Sequence, residues 1–228
     1  MSNLSIIIPF FNEEKYLSRS IERVLNTNFF EEIILVDDFS SDNSSKIAEG
    51  YSSKFSNISL IKSKSQGGKG AAVKLGINEA TSSYVVVHDA DLEYFPDDIV
   101  EMTKYINSKN SIILGSRFIA GKSRKNIYKR TIMANNLLSK FFSILYSYKV
   151  TDIATCYKIM STEILKNIEL NEKGFAFEVE LLSKYFSYEK RVIEVPIRYE
   201  GRTYDEGKKI KFKDGIEFVY KIVKYRFA

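Results

Sequence analysis

Cysteine and histidine are nearly absent from this chain of 228 residues, which contains one of each. Cys156 cannot form a disulfide within the chain, which favours a reducing compartment, here the cytoplasm. With only Cys156 and His88, neither a multi-histidine metal site nor Ser-His or Cys-His catalysis that needs further copies is expected. Any metal is therefore expected to be held by oxygen ligands.

Long apolar runs are missing too. The run Leu4–Phe11 is too short for a secretory signal peptide, and no segment reaches the ~18 uninterrupted apolar residues of a membrane-spanning helix. We therefore expect neither feature. With 44% hydrophobic residues, the chain can bury one core, and we expect one domain over residues 1–200. Residues 201–228 are expected to be a basic amphipathic tail packed on that domain or on a membrane surface.

Acidic residues are missing from one stretch. Glu101 and Asp152 enclose a segment without a carboxylate, although the chain as a whole carries 29 acidic and 34 basic residues. The basic residues of this segment are Lys104, Lys109, Arg117, Lys122, Arg124, Lys125, Lys129, Arg130, Lys140 and Lys149. Such a block attracts the phosphates of a nucleotide, a nucleic acid or a lipid surface.

Strand and helix patterns alternate along the first half of the chain. Apolar strands are predicted at Leu4–Pro9, Ile33–Val36, Ile58–Ile61, Val85–Val87 and Ile112–Leu114. The predicted helices between them are one capped by Asn12, one begun by Ser41 and Asp42, then Gly70–Ala80 and Pro96–Ile106. Such alternation implies right-handed crossovers, so we expect an α/β protein with a mostly parallel central sheet and helices on both faces.

Two carboxylates, Asp89 and Asp91, follow the valine strand. Because side chains alternate along an extended strand, we expect both to point to one side, roughly 6.5–7 Å apart, with His88 packed on the other. One Mg²⁺ or Mn²⁺ that keeps several coordination sites free could draw on both and hold a diphosphate there. The alternative is an acidic turn that caps the helix beginning near Pro96.

Three further loops follow strand ends and carry polar groups suited to a nucleotide. Pro9–Glu13 offers an aromatic ring for a base and a carboxylate for a ribose hydroxyl, and Val36–Ser40 offers carboxylates for the N–H groups of a base. Gln66–Gly70 is a glycine-rich turn whose backbone N–H groups and lysine could approach an anion. Each loop also has an ordinary interpretation as a cap or turn. All three strands, however, would end at the same edge of the sheet as the strand that precedes Asp89 and Asp91.

Five short motifs stand in order along the chain. They are Ser5–Glu14 (SIIIPFFNEE), Ile34–Ser40 (ILVDDFS), Gly68–Ala71 (GKGA), Asp89–Leu92 (DADL) and Gly115–Phe118 (GSRF). In this order they resemble the motifs of family 2 glycosyltransferases, most closely the dolichyl-phosphate mannose and glucose synthases. Thr151–Lys158, Gly174–Glu178 and Val195–Tyr204 extend the resemblance over nearly the whole chain.

The resemblance implies a GT-A (Rossmann-like) fold and an inverting transfer from a UDP- or GDP-sugar that depends on Mg²⁺ or Mn²⁺. By position in the motifs, the nucleoside would be held by Pro9, Phe11, Glu13, Val36 and Asp38, with Asp37 beside them and Lys69 and Ala90 close to the donor. Asp89 and Asp91 would hold the metal. Two positions depart from the subgroup: Phe11 stands where tyrosine is common, and Glu93 stands where glutamine is common and adds an acid near the metal.

The implied chemistry assigns three catalytic candidates. Breaking the bond from the anomeric carbon to phosphate leaves a diphosphate with extra negative charge, which Arg117 or Arg130 would stabilise beside the metal. Asp152 is the candidate base for a hydroxyl acceptor, since a hydroxyl must be deprotonated in the transition state. A lipid phosphate is already ionised, and Asp152 would then only orient the sugar or an arginine.

Two amphipathic segments carry many basic residues. The predicted helix Ile127–Val150 has a wide apolar face flanked by lysines. The tail places Ile216, Val219, Tyr220, Val223 and Phe227 on one helical face, surrounded by Lys208, Lys209, Lys211, Lys213, Lys221, Lys224 and Arg226. Either segment could pack on the core or lie on an anionic membrane surface.

We therefore expect a cytoplasmic enzyme, free or peripheral on the cytoplasmic face of a membrane, that moves a hexose from a UDP- or GDP-sugar to a polyprenyl phosphate. One alternative keeps this donor and uses a saccharide hydroxyl as acceptor, as in polysaccharide or cell-envelope glycan synthesis. The other is a basic nucleic-acid- or membrane-binding protein. The intact set Asp38, Asp89, Asp91 and Arg117 favours an enzyme, because anion binding alone does not require it. This interpretation involves no nucleic acid and allows a homodimer.

Overall fold

The computed structural model of the chain describes residues 3–106, 112–186, 191–202 and 212–227, with side chains from 215 onward in the last range. Its strands are β1 (Leu4–Phe10), β2 (Glu32–Asp37), β3 (Ile58–Lys62), β4 (Tyr84–Val87), β5 (Ile112–Ser116), β6 (Arg124–Lys125), β7 (Lys158–Ser161), β8 (Val192–Pro196) and β9 (Tyr199–Glu200). Its helices are α1 (Leu17–Leu25), α2 (Ser44–Lys54), α3 (Lys69–Glu79), α4 (Pro96–Thr103), α5 (Lys129–Tyr146), α6 (Thr162–Asn167), α7 (Phe177–Tyr185) and α8 (Phe212–Phe227). Of the residues singled out in the sequence, Lys109, Tyr204, Lys208, Lys209, Lys211 and the side chain of Lys213 lie outside the described residues.

Seven strands form one sheet in the order β3-β2-β1-β4-β7-β5-β8. Neighbouring strands in this sheet are parallel except at β7, which runs antiparallel to both β4 and β5. All seven residues of β1 are buried, so both faces of the sheet are covered at its centre. Helix α1 contacts α2 and α4, whereas α3 contacts α6 and α7. The predicted α/β class with a mostly parallel central sheet is confirmed.

Local sequence explains how the helices pack on this sheet. Helix α1 buries Leu17, Ile21 and Val24, whose spacing of three and four residues places them on one helical face. Helix α3 approaches β1 closely because Gly76 has no side chain: a Cβ there would lie 2.5 Å from Cγ2 of Ile7. The small residue therefore sets the distance between α3 and the sheet.

The predicted start of the first helix is wrong. Helix α1 begins at Leu17, and Asn12 does not cap it. Asn12 instead adopts a φ of 52°, and its Oδ1 accepts a hydrogen bond from the N–H of Ser41 at 2.8 Å. Asn12 therefore ties the loop after β1 to the loop after β2, since both loops reach the same edge of the sheet.

The predicted geometry of the two aspartates is also wrong in part. Strand β4 ends at Val87, so Asp89–Asp91 lie in the following turn and not on extended backbone. His88 is packed as predicted: its ring nitrogens lie 2.8 Å from the hydroxyl of Tyr157 and 3.2 Å from that of Ser20. Burial lowers the pKa of His88 to about 4, so the imidazole is neutral near pH 7.

The glycine turn Gln66–Gly70 leads from β3 to α3. Gly68 has a φ of 86°, a region that residues with a Cβ rarely adopt. A Cβ on Gly68 would lie 2.5 Å from the carbonyl oxygen of Lys173, and one on Gly70 would overlap the carbonyl oxygen of Glu172. The N–H of Gly70 donates to the Lys173 oxygen at 2.7 Å. The turn is glycine-rich because the backbone of residues 172–173 packs directly on it.

Helix α8 packs against α5 and α7 through Phe218, Ile222 and Tyr225, which are buried. A second apolar stripe on α8 and one on α5 face outward. Their exposed members are Ile216, Val219, Tyr220, Val223 and Phe227 on α8, and Met133, Leu137 and Ile144 on α5. In the described part of the chain, no helix combines the length and apolar character needed to cross a bilayer.

Gly70→Ala is expected to lower the free energy of unfolding by about 1–3 kcal/mol, because the new methyl group would overlap the Glu172 carbonyl oxygen. Gly50→Ala is the matched control. Gly50 lies inside α2, and beyond its chain neighbours and the backbone of its own helix no atom lies within 4 Å of an added Cβ, so alanine there should stabilise the protein by up to about 1 kcal/mol. Urea titrations followed by circular dichroism compare the variants, and equal midpoints would contradict the close packing at Gly70.

Candidate active site

A pocket of about 280 Å³ lies where β1, β2, β4 and β5 end, at the carboxyl edge of the parallel strands. Open α/β sheets bind their ligands at this edge. Ten of the predicted site residues line the pocket: Pro9, Phe11, Glu13, Asp38, Lys69, Asp89, Ala90, Asp91, Glu93 and Arg117. The fold therefore brings residues from five separate motifs into one cavity.

Four predicted site residues do not line this pocket. Val36 and Asp37 are buried within β2, and Asp152 is fully buried. Arg130 lies in the exposed first turn of α5, with its guanidinium carbon 5.2 Å from the ring centre of Tyr128. The structure therefore separates these residues from the pocket surface.

Asp38 binds the glycine turn. Its two carboxylate oxygens accept hydrogen bonds from the N–H of Gly67 at 2.8 Å and of Gly68 at 2.7 Å. The prediction that these N–H groups approach a substrate anion is wrong, because an internal carboxylate occupies them. Asp38 thus fixes the turn while it lines the pocket.

Lys69 belongs to a line of four charges that we call the charge line: Lys158, Glu178, Lys69 and Asp89. The Lys69 ammonium lies 2.8 Å from Asp89 Oδ1 and 2.8 Å from Glu178 Oε1, the second contact being an ion pair without hydrogen-bond geometry. Glu178 also pairs with Lys158, whose side chain is 1% exposed. Burial alone would lower the pKa of Lys69 and raise that of Asp89, but their mutual attraction reverses both shifts. Both groups are therefore ionised.

Asp91 and Glu93 form an acidic wall beside the charge line. Asp91 Oδ1 accepts the N–H of Glu93 at 3.1 Å, and its Oδ2 lies 3.3 Å from a guanidinium nitrogen of Arg202. Both carboxylate oxygens of Glu93 accept hydrogen bonds, one from the Tyr199 hydroxyl and one from the N–H of Arg202. Burial, and repulsion from Glu93 and Asp89, raise the pKa of Asp91 to about 8.

These carboxylates fit a divalent cation by their chemistry. Among the described residues, no three His, Cys, Asp or Glu side chains already form a metal-binding group. Asp89 and Asp91 nevertheless offer hard oxygen ligands. Burial, together with the neighbouring carboxylates of Glu93 and Asp89, raises the pKa of Asp91, and a bound cation would offset this cost of ionising it. Positive charge beside these aspartates already comes from the protein: Lys69 pairs with Asp89, and Arg202 pairs with Asp91. Glu93 is engaged at both carboxylate oxygens by the 199–202 segment.

Arg117 is held rigidly by Asp152. Its Nε and one terminal nitrogen each lie 2.7 Å from a different oxygen of Asp152, and its backbone N–H donates to the same carboxylate at 3.0 Å. The rings of Tyr199 and Tyr94 lie 5.1 and 5.9 Å from the guanidinium carbon. Burial would lower the pKa of Arg117, but Asp152 raises it well above its usual value. Arg117 therefore presents a fixed positive charge to the pocket.

The end of β1 contributes Pro9 to the pocket, and the loop after β1 contributes Phe11 and Glu13. Glu13 is buried, its N–H donates to Ser44 at 2.8 Å, and its carboxylate lies 3.3 Å from Arg202. A half-buried aromatic ring and a carboxylate thus stand together, which suits a base and its ribose.

Glu178, Tyr199 and Arg202 are among the pocket residues for which the sequence predicted no role. The available signal was their place in the motifs Gly174–Glu178 and Val195–Tyr204. Their partners are far away in the chain: Arg202 and Asp91, for example, are 111 residues apart. Such pairings follow from the folded topology and not from local spacing.

The model of the family described as glycosyl transferase family 2 matches residues 5–169 of the chain. A dolichol-phosphate mannosyltransferase of Pyrococcus furiosus is 30% identical over an alignment that covers 97% of this chain and 64% of that protein. A dolichyl-phosphate beta-glucosyltransferase of Dictyostelium discoideum is 30% identical, with 98% and 74% covered. The chain thus spans less than two thirds of the length of the Pyrococcus relative.

Among solved structures, a glucosyl-3-phosphoglycerate synthase from Mycobacterium tuberculosis superimposes with a TM-score of 0.73 at 17% sequence identity. The match covers 99% of this chain and 80% of that chain. That crystal structure is a complex with Mn²⁺, uridine diphosphate and glucosyl-3-phosphoglycerate. The likeness confirms the predicted GT-A fold.

Asp152→Asn should lower the free energy of unfolding by about 3–5 kcal/mol, because it leaves the buried Arg117 guanidinium without its counter-charge. Asp97→Asn is the matched control: its carboxylate is 72% exposed and lies 3.5 Å from Arg198, and such pairs contribute at most about 1 kcal/mol. Adding Arg117→Met to Asp152→Asn should recover part of the loss. Urea titrations that show equal losses for the two asparagine variants would contradict the buried pair.

Proposed function

Since this chain belongs to glycosyl transferase family 2 and is a glycosyltransferase, we propose that it moves a hexose from a UDP- or GDP-sugar to a polyprenyl phosphate, with inversion. The proposal includes dependence on Mg²⁺ or Mn²⁺ and a position at the cytoplasmic face of a membrane. The named activities of the Pyrococcus and Dictyostelium relatives support the lipid-phosphate acceptor. The Mn²⁺ and uridine diphosphate complex of the structural neighbour supports the donor and the metal.

One observation carries the proposal: the pocket combines a pair of carboxylates with two fixed cations. Asp89 and Asp91 line the same cavity as Lys69 and Arg117. A nucleotide-diphosphate sugar needs both, because its diphosphate must be held and then stabilised as it gains charge. A basic protein that only binds anions would not need the carboxylates, and family membership also favours the enzyme.

The protein's own groups have separate parts in this chemistry. When bound at Asp89 and Asp91, a divalent cation would neutralise diphosphate charge. Lys69 and Arg117 add positive charge at fixed positions, and Arg117 needs no reorganisation because Asp152 already orients it. The loop after β1 receives the nucleoside through Phe11 and Glu13, beside Asp38.

The position of Asp152 supports a phosphate acceptor over a hydroxyl. Asp152 is 0% exposed, and both of its carboxylate oxygens accept hydrogen bonds from Arg117. It is therefore poorly placed to take a proton from a substrate in the pocket. A hydroxyl acceptor needs such a base, whereas a phosphate oxygen is anionic at pH 7 and needs cations to approach a second anion. Asp152 acts here by orienting Arg117.

A membrane position is supported by the outward apolar stripes of α5 and α8, which we call the apolar surface. It includes Leu137, exposed by 71%, and Tyr220, exposed by 63%. Lys140 on α5 and Lys224 and Arg226 on α8 are also exposed. Apolar side chains flanked by cationic ones are typical of helices that lie in the headgroup region of anionic bilayers.

Asp91→Asn should weaken the binding of uridine or guanosine diphosphate at least about tenfold when Mn²⁺ is present, because one of two metal ligands is lost. Affinity in a chelator should change little. Asp97→Asn, at an exposed carboxylate of α4, is the matched control and should behave as wild type in both conditions. Isothermal titration calorimetry measures the four affinities. If wild type binds the nucleoside diphosphates with the same affinity with and without Mn²⁺, the metal assignment is wrong.

Leu137→Glu should reduce binding to vesicles of an anionic phospholipid about tenfold or more, because a buried leucine contributes about 1.5–3 kcal/mol. Leu75→Glu on α3 is the matched control, since Leu75 is an exposed leucine outside the apolar surface. Binding of wild type should also fall as salt rises. Vesicle sedimentation measures the partition. Equal binding by both variants would remove α5 from the membrane contact, and no binding by wild type would favour the saccharide acceptor.

A further inference from the structure

Glu172 connects the carboxyl-terminal helix α8 to the loop that precedes α7. The Lys221 ammonium lies 2.6 Å from Glu172 Oε1, and the Tyr225 hydroxyl donates to the same oxygen. The Lys224 ammonium lies 3.9 Å away. Burial would raise the pKa of Glu172, but the hydrogen bonds from Lys221 and Tyr225 lower it below its usual value. Glu172 is therefore an ionised anchor for three side chains of α8.

The backbone at Glu172 is also held from helix α7. The Glu180 carboxylate accepts the N–H of Asn171 at 2.8 Å and that of Glu172 at 2.7 Å. Glu180 is fully buried and pairs with Lys184 at 2.8 Å. The segment 171–172 is thus clamped between α7, through its N–H groups, and α8, through its side chain.

Residues 172–173, at the end of this clamped segment, pack closely against the glycine turn. The carbonyl oxygen of Lys173 accepts the Gly70 N–H at 2.7 Å, and neither Gly68 nor Gly70 leaves room for a Cβ against the carbonyl oxygens of Glu172 and Lys173. Lys69 stands between these two glycines and reaches the pocket. The Lys69 backbone is therefore held from two sides, by residues 172–173 and by Asp38, which accepts the N–H groups of Gly67 and Gly68.

We propose that Glu172 is a positioning residue: anchored by Lys221 and Tyr225, it holds the 172–173 backbone against the glycine turn and so places Lys69 in the pocket. The inference rests on the proposed role of Lys69 at the donor diphosphate. It makes α8 part of the donor site, and Phe218 of the same helix lines the pocket directly. Helix α8 is thus connected to Lys69 in the pocket through the carboxylate of Glu172.

The first test needs no ligand. Hydrogen exchange of the Gly70 amide, followed by NMR, should be about tenfold faster in Glu172→Gln, because the charged hydrogen bonds that hold its acceptor are weakened. Tyr225→Phe, which removes one of the donors and keeps the ring, should give an intermediate rate and serves if Glu172→Gln folds poorly. Glu163→Gln, at an exposed glutamate of α6, should exchange as wild type. An unchanged Gly70 rate in both site variants overturns the coupling.

The second test asks whether Glu172 acts through Lys69. Calorimetry with uridine and guanosine diphosphate and Mn²⁺ compares wild type, Glu172→Gln, Lys69→Met and the double variant. Glu172→Gln alone should weaken binding roughly threefold to tenfold, and should weaken it less than twofold further in the Lys69→Met background. An equal loss in both backgrounds would show that Glu172 acts independently of Lys69, which overturns the inference. If wild type binds neither nucleotide, the proposed function fails, and the exchange of Gly70 still decides the coupling.

Discussion

Three charged side chains that line the pocket, those of Lys69, Asp89 and Glu178, depend on the ion pairs of the charge line. A single ionised group buried there would be strongly destabilising, but two cations and two anions alternate along Lys158, Glu178, Lys69 and Asp89, so each has an opposite partner. Loss of Glu178 leaves Lys158 without its counter-charge, and loss of Lys69 leaves Asp89 without its own. The two central members therefore hold the line together, and the line fixes the direction of Lys69 and Asp89 before a substrate arrives.

The charge line also joins parts of the fold that lie far apart in the chain. Lys158 comes from β7, Glu178 from α7, Lys69 from the start of α3, and Asp89 from the turn after β4. On the other side of the pocket, Arg117 follows β5 and meets Asp152 from the segment before β7. Charged groups thus come both from the β3-β2-β1-β4 part of the sheet and from the β7-β5-β8 part, and their contacts meet at the pocket. The ion pairs that build the site therefore also connect these two parts of the sheet.

Patterns within a few residues were sufficient to predict β1, β2, β3 and α3, because an apolar run or a helical stripe depends only on near neighbours. Ten of the residues singled out in the sequence also line one pocket. What local patterns could not show was pairing at long range. Asp38 binds the glycine turn and Asn12 binds the loop after β2, and the immediate neighbours of these residues in the sequence indicate neither contact. Asp152 likewise had two possible roles in the sequence, and its contact with Arg117, which supports the proposed orienting role, joins residues 35 positions apart.

The antiparallel strand β7 has a consequence for synthesis. Residues 4–87 can pair into β3-β2-β1-β4 as they leave the ribosome, but the outer edge of β4 receives its partner only when Lys158–Ser161 has emerged. At roughly 5–20 residues per second, this edge stays open for on the order of ten seconds. An unpaired apolar strand edge templates pairing with other chains. A chaperone that holds the nascent chain until β7 has emerged would prevent such pairing at β4. Slow translation between β4 and β7 would lengthen the time for which the β4 edge is exposed.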